Sequence, residues 1–167
     1  MLSKEDINNI LMFWFPNNNY NKFWFEKNEI VDKLIYEHYY HRLMEIYKKY
    51  KNITDFNFLL DNQEILATII LLDQFSRNMS RIDNSITAEK INEMTLIAKN
   101  LTLYWLSLNI YKESNINHLV FALMPLRHLN KISDYKLILN ILNEIEDKEN
   151  ETFKKFYVHT QKRFTLM

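Results

Sequence analysis

The chain has 167 residues, 47% of them hydrophobic and 25% charged, with 21 Lys and Arg against 21 Asp and Glu. That length suits a single domain over residues 1–167 with a core of its own, and the even charge balance removes the electrostatic footprint of a general nucleic-acid or acidic-membrane binder. The absence of cysteine excludes disulfides, Cys-based zinc sites and a Cys nucleophile, and the absence of glycine excludes the usual phosphate loop, dinucleotide fingerprint and nucleophile elbow.

Ser3 reads as an N-cap with Glu5 and Asp6 in the first turn, and Ile7, Ile10, Leu11 and Trp14 follow at helical spacing. Pro16 ends this helix, and residues 17–19 form a polar turn. The apolar patch at 11–15 lacks the cationic start, the length and the cleavage site of a secretory leader. With no disulfide either, an intracellular, cytoplasmic protein is expected. Phe23-Trp24-Phe25 is an aromatic cluster set to dock on the core. A long helix is predicted over 28–50, with Ile30, Leu34, Tyr39, Leu43, Ile46 and Tyr50 inward.

After a connector at 52–57, Asp61 or Asn62 caps a helix whose first half is apolar on every side. Ile65, Leu66, Ala67, Ile69, Ile70, Leu71 and Leu72 mark it as the central helix of the core. The run is too short for a bilayer, which needs about 20 apolar residues. Leu66, Ile70, Asp73, Arg77 and Arg81 share one face, so a stripe that starts apolar ends charged. Asp73 and Arg77 stand at the i, i+4 spacing of a same-helix ion pair.

Residues 81–85 read as a loop, and Ser85 or Thr87 starts a helix with Ile91, Met94, Ile97 and Leu101 inward. Residues 103–110 read as a short helix or extended turn. Asn115 or Asn117 caps the next helix, which Pro125 should kink or end. Ser133-Asp134 caps another, with Leu137, Ile138, Ile141 and Leu142 inward. A charged connector at 144–151 leads to a last helix marked by Phe153, Phe156, Tyr157 and Phe164, with a basic outer face. The pattern gives an all-α antiparallel array of about seven helices and no strand. Abundant Asn takes over the left-handed turn and helix-end positions that glycine would fill.

Leu71-Leu72-Asp73-Gln74-Phe75-Ser76-Arg77-Asn78-Met79-Ser80-Arg81 resembles the hallmark of a mainly bacterial family, domain of unknown function nine-twenty-four, which reads Leu-Leu-Asp-Gln-Phe-Pro-Arg-Asn followed closely by Tyr-Arg. Phe13-Trp14-Phe15 and Trp24-Phe25 resemble its aromatic N-terminal pattern. Pro125-Leu126-Arg127-His128 resembles its Pro-x-x-His-Ser-Glu box, and His159, Arg163 and Phe164 its His-x-x-x-Arg-Phe box. The resemblance implies a fold related to tetratricopeptide-repeat proteins and brings no established activity. Ser76 stands where the family has Pro, and Arg127, Leu129 and Asn130 where it favours acidic, Ser and Glu residues. The family continues past the position of Phe164 with Gly-Arg-Phe-Pro-His-Arg-Asn, so this chain reads as a divergent, C-terminally shortened member.

Asp73, Gln74, Arg77, Asn78 and Arg81, joined by His128, His159 and Arg163, make the candidate ligand-binding set. Arginines with histidines suit a phosphate or carboxylate, and either histidine has the chemistry of a general base. The same residues also serve as a lock, with Asp73 pairing with Arg77 or with an Arg of the last helix. A ligand site requires the tips of Arg77, His128 and Arg163 to converge on a cavity. Glu37 and His41 share a face but lack the third ligand that zinc needs, so no metal and no cofactor are expected. Trp24, Tyr39, Tyr40, Tyr104 and Trp105 are candidates for a peptide groove. The preferred reading is a non-enzymatic interaction or scaffold protein using a groove between helices, because no complete catalytic constellation can be assembled. The alternative is a binder or enzyme for a small anionic ligand.

Overall fold

A computed structural model of the chain describes residues 1–17, 19–59 and 61–167, and these are all-helical, with no strand among them. Seven helices are found. They are α1 (Lys4–Trp14), α2 (Glu29–Tyr50), α3 (the unbroken run from Asn62 to Ser80), α4 (Ala88–Ser107), α5 (Ile116–His128), α6 (Ile132–Asn143) and α7 (Glu151–Thr165). Short 3-10 turns lie at Lys22–Trp24 and Ile110–Glu113.

Most helix starts follow from their caps, each of which satisfies an N–H that the helix itself cannot. Ser3 and Asp6 form a capping box on α1. Asn28, Asp61, Thr87, Asn115 and Asn150 accept backbone N–H bonds at the starts of α2, α3, α4, α5 and α7. In place of glycine, Asn109 and Asn130 take the left-handed conformation, with φ of 58° and 54°. Asn18, within the turn expected at 17–19, lies outside the described residues.

α3 is the centre. It packs against α1, α2, α4 and α5, while α5 in turn carries α6 and α7. Ile65, Ile69, Ile70, Leu71 and Leu72 are completely enclosed. Each such side chain contributes roughly 1.5–3 kcal/mol, so together they outweigh the cost of enclosing the carboxylate that follows them. A second layer is aromatic. The Trp14 ring meets Phe23, Phe75 and Phe121 at centroid distances of 5.3, 5.7 and 5.4 Å, all edge-on. Its backbone carbonyl accepts the Trp24 indole N–H at 2.8 Å, which fastens the Lys22–Trp24 turn to the end of α1.

Four local expectations are corrected. On α2 the buried face is Asp32, Ile35, Leu43, Ile46 and Tyr50, while Ile30 is 72% exposed and Leu34 38%. The face therefore follows helical phase back to an acid rather than to the nearest apolar residue. Residues 103–107 continue α4, because Trp105 falls in phase with Met94, Ala98 and Leu101 and is buried like them. Pro125 lies inside α5, which runs on to His128. The Thr102 hydroxyl of α4 donates to the Ala122 carbonyl at 2.6 Å in the turn preceding the proline, beside the Phe121 carbonyl whose i+4 donor the proline removes. Asp134 lies in the first turn of α6 instead of capping it, and pairs with Lys99 of α4 at 2.7 Å. Among the described residues no helix is long and apolar enough to cross a membrane.

Candidate functional site

α3 is α-helical over Asn62–Ile69 and again over Ser76–Ser80, but Ile70–Phe75 between them is a π turn. A π turn holds an extra residue and re-aims every side chain after it, which is why such turns gather at functional sites. The buried Ser76 hydroxyl sits 2.6 Å from the Leu72 carbonyl and 3.2 Å from that of Asp73, a donor at the place where the register changes. Ser76→Ala removes it, and a stability loss of about 1–3 kcal/mol is expected from the abandoned carbonyl. Urea unfolding measures this, and an unchanged midpoint would mean that the carbonyl has another donor.

The π turn splits the charged stripe into two clusters. Asp73, wholly enclosed, faces α4 and α5. Its Oδ1 lies 2.9 Å from His128 Nδ1 and 3.5 Å from an Arg77 nitrogen, and its Oδ2 accepts from the Gln74 amide at 2.8 Å. Thr95 of α4 accepts a second bond from the same Arg77 nitrogen at 2.9 Å. Burial alone pushes the Asp73 carboxyl up, but His128, Arg77 and Gln74 together outweigh it and hold the group below its ordinary value. An ionised carboxylate only accepts, so His128 carries its proton on Nδ1 and Nε2 is the ring nitrogen left over.

The second cluster turns toward α2. Arg81 clasps Asp32 through two bonds of 2.8 and 2.7 Å, and the Asn78 amide donates to the same carboxylate at 2.8 Å. This is the bidentate geometry that an arginine fork favours.

Members of both clusters line one cavity of about 290 Å³. Gln74, Arg77, Asn78 and Arg81 come from α3, and Arg127 and His128 from the end of α5. Phe23, Trp24, Phe25 and Met124 supply apolar wall, and Glu26 and Lys27 stand beside it. Arg127 differs from the other arginines. Its guanidinium lies over the Phe156 ring at 4.9 Å, its Nη1, like Arg77 Nε, is buried without a hydrogen bond, and, unlike Arg77 and Arg81, it has no carboxylate paired with it among the described residues. Burial pushes its pKa below the ordinary arginine value, against the pull of Tyr135 and Asp73.

Of the eight residues expected from the sequence, the structure brings together Asp73, Gln74, Arg77, Asn78, Arg81 and His128. His159 and Arg163 are not with them: both are exposed on α7, with His159 beside Lys155 and Val158. Three contributors escaped sequence reasoning. Asp32 was signalled by its phase with Ile35, Leu43 and Ile46 on α2. Arg127 stood out only as a departure from the family box, and Thr95 carried no signal. The aromatic candidates for a groove do not line one together: Trp24 and Tyr39 belong to the aromatic layer around Trp14, through Phe121 and Phe75, whereas Trp105 packs on Tyr111 and Tyr40 on Tyr36. Among the described residues no three His, Asp or Glu side chains are placed to hold a metal.

A family model described as a bacterial protein of unknown function (DUF924) matches residues 10–166. A solved structure of a protein of unknown function from Agrobacterium tumefaciens is similar at 18% identity with a TM-score of 0.74, over 96% of this chain and 81% of that one. At that identity the likeness is one of fold. No curated protein matches the chain.

Proposed function

The chain belongs to the DUF924 family of bacterial proteins of unknown function, and from that footing we propose that it binds a small anion in the cavity between α3, the end of α5 and residues 23–27. One observation carries the reading: Arg127 lines the cavity, largely enclosed, with no carboxylate partner among the described residues. A buried charge without a partner is costly, and an anion entering from solvent removes that cost. The two clusters do a different job. Arg77 and Arg81 are each held by an enclosed acid, so they are fixed before any ligand arrives. Such preorganisation lowers the ordering cost of binding. Lock and site are then one construction, in which Asp73 and Asp32 hold the wall and Arg127 meets the ligand.

The wider setting is part of the same proposal. Residues 1–167 act as one domain in an intracellular compartment, a reading supported by the absence of cysteine and by packing that links α1 through α3 and α5 to α7. The scaffold reading draws less support, since of its aromatic candidates Trp24 and Trp105 are buried and Tyr39 packs on Phe13 and Phe75.

A thermal-shift series against acetate, benzoate and inorganic phosphate tests the proposal, with Arg127→Leu as the control. An anion at 100 times its dissociation constant stabilises by about 2.7 kcal/mol, which for a protein of this size raises Tm by about 5–10 °C. The wild type should shift and Arg127→Leu should not. A flat wild-type response to every anion, or an equal shift in the variant, sinks the reading.

A further inference from the structure

Resting on the anion site just proposed, we infer that its ligand is a monocarboxylate with a compact apolar body, not a phosphate ester. The charges around the cavity carry the first half. Arg77 is matched by Asp73 and Arg81 by Asp32, each pair within ion-pair distance and each acid enclosed. Glu26 and Lys27 are adjacent, opposite in sign and exposed, so solvent screens them. Arg127 is then the enclosed cavity cation with no carboxylate at ion-pair distance among the described residues. One negative charge neutralises it. A phosphate monoester brings roughly 1.5 to 2 negative charges at neutral pH, and the surplus would face Asp73 and Asp32 directly behind the wall. A carboxylate brings one charge, and its two oxygens match the planar fork of a guanidinium.

The wall carries the second half. Phe23 and Phe25 are half-buried, and Trp24 and Met124 are buried, all on the same cavity as the arginines. A bare ion leaves that apolar surface facing water. A ligand with an aryl or branched alkyl body covers it, as in most small-molecule sites, where apolar walls supply area and a few polar groups supply orientation. A cavity of about 290 Å³ holds a body of metabolite size and excludes a folded peptide.

Calorimetric titration of the purified protein at neutral pH with four probes tests this. Phenylacetate has both parts, acetate lacks the body, 2-phenylethanol lacks the charge, and phenyl phosphate keeps the body with the heavier charge. Phenylacetate is expected to bind at least roughly ten-fold more tightly than each of the others, a gap of about 1.4 kcal/mol. In Arg127→Lys, which keeps the charge and loses the fork, that preference should shrink. If phenyl phosphate binds as tightly as phenylacetate, the monocarboxylate assignment falls while the anion site stands. If 2-phenylethanol matches phenylacetate, charge is not being read and the assignment falls. If none of the four binds, the anion site falls with it. The wild-type ranking decides between these outcomes even if the variant does not fold.

Discussion

Asp73→Ala should cost the protein about 3–5 kcal/mol of stability, because it removes the enclosed carboxylate that Arg77, His128 and Gln74 share. The direction follows from burial. Asp73 is fully enclosed, yet it meets His128 at 2.9 Å, Gln74 at 2.8 Å and Arg77 at 3.5 Å. Removing it strands His128 and Arg77 against α4 and leaves the Gln74 amide without its acceptor. His128 and Arg77 keep some contact with solvent, with side-chain exposures of 21% and 31%, so the lower part of the range is the better expectation. A pH signature accompanies the loss. The folded-state carboxyl sits below its unfolded value of about 3.9, so the unfolded chain takes up the proton first. The contribution of Asp73 is therefore complete above about pH 5 and disappears as the pH falls through the folded value. Urea unfolding of wild type and Asp73→Ala across this range should converge in acid. Parallel curves at every pH, or a difference near zero at neutrality, would contradict an ionised, enclosed Asp73.

Trp14→Ala should cost a similar amount, about 3–5 kcal/mol, for an unrelated reason. The Trp14 ring is 1% exposed and touches three other rings, on the Lys22–Trp24 turn, on the π turn of α3 and on α5. Its deletion opens a void where four elements meet, and the surrounding helices cannot close over it. The loss has a second readout. Phe23 leans on Trp14 and also lines the cavity, so its release should weaken binding of an apolar carboxylate even in buffer where the variant remains folded. Trp14→Phe retains part of the edge contact and should fall between the two. Calorimetry with phenylacetate, beside thermal melting, separates the effects. Full affinity in a folded Trp14→Ala protein would mean that the turn is held in place by its remaining contacts, the Trp24 bond to the residue 14 carbonyl foremost.

Legibility in the sequence tracked the range over which each determinant acts. α3 was readable because an apolar run on all helical faces has no place but a core. Caps at Ser3, Asp61, Thr87 and Asn115 were readable because capping is settled within about three residues. The Asp73 and Arg77 pair followed from i, i+4 spacing, whereas its closure by His128, 55 residues away, followed only from the family box. Asp32 was passed over because an acid on a long helix is usually solvated, and two neighbouring apolar residues offered a simpler stripe. Its partner Arg81 lies 49 residues away on a helix whose phase had changed. Nothing in the string of residues announces a π turn. The site role of Arg127 depended on α5 continuing through Pro125, and there the burial of the helix from Leu119 to Leu126 overruled the local rule. His159 and Arg163 were grouped with the rest by motif order alone, while the buried stripe of α7 is Thr152, Phe153, Phe156 and Thr160.

The π turn over Ile70–Phe75 makes the pitch of the helix at this point matter more than the identity of most of its side chains. An α-helix advances about 100° per residue, so rewinding these residues at α pitch with none lost would swing everything after them through more than a quarter of a revolution. Arg77 would leave Thr95 in the same motion that carried Asn78 and Arg81 away from Asp32. The two clusters are therefore geared together through the helix that bears them. Conservative exchanges that keep the wide turn leave that gearing intact, whereas tightening it to α pitch disengages both sides at once.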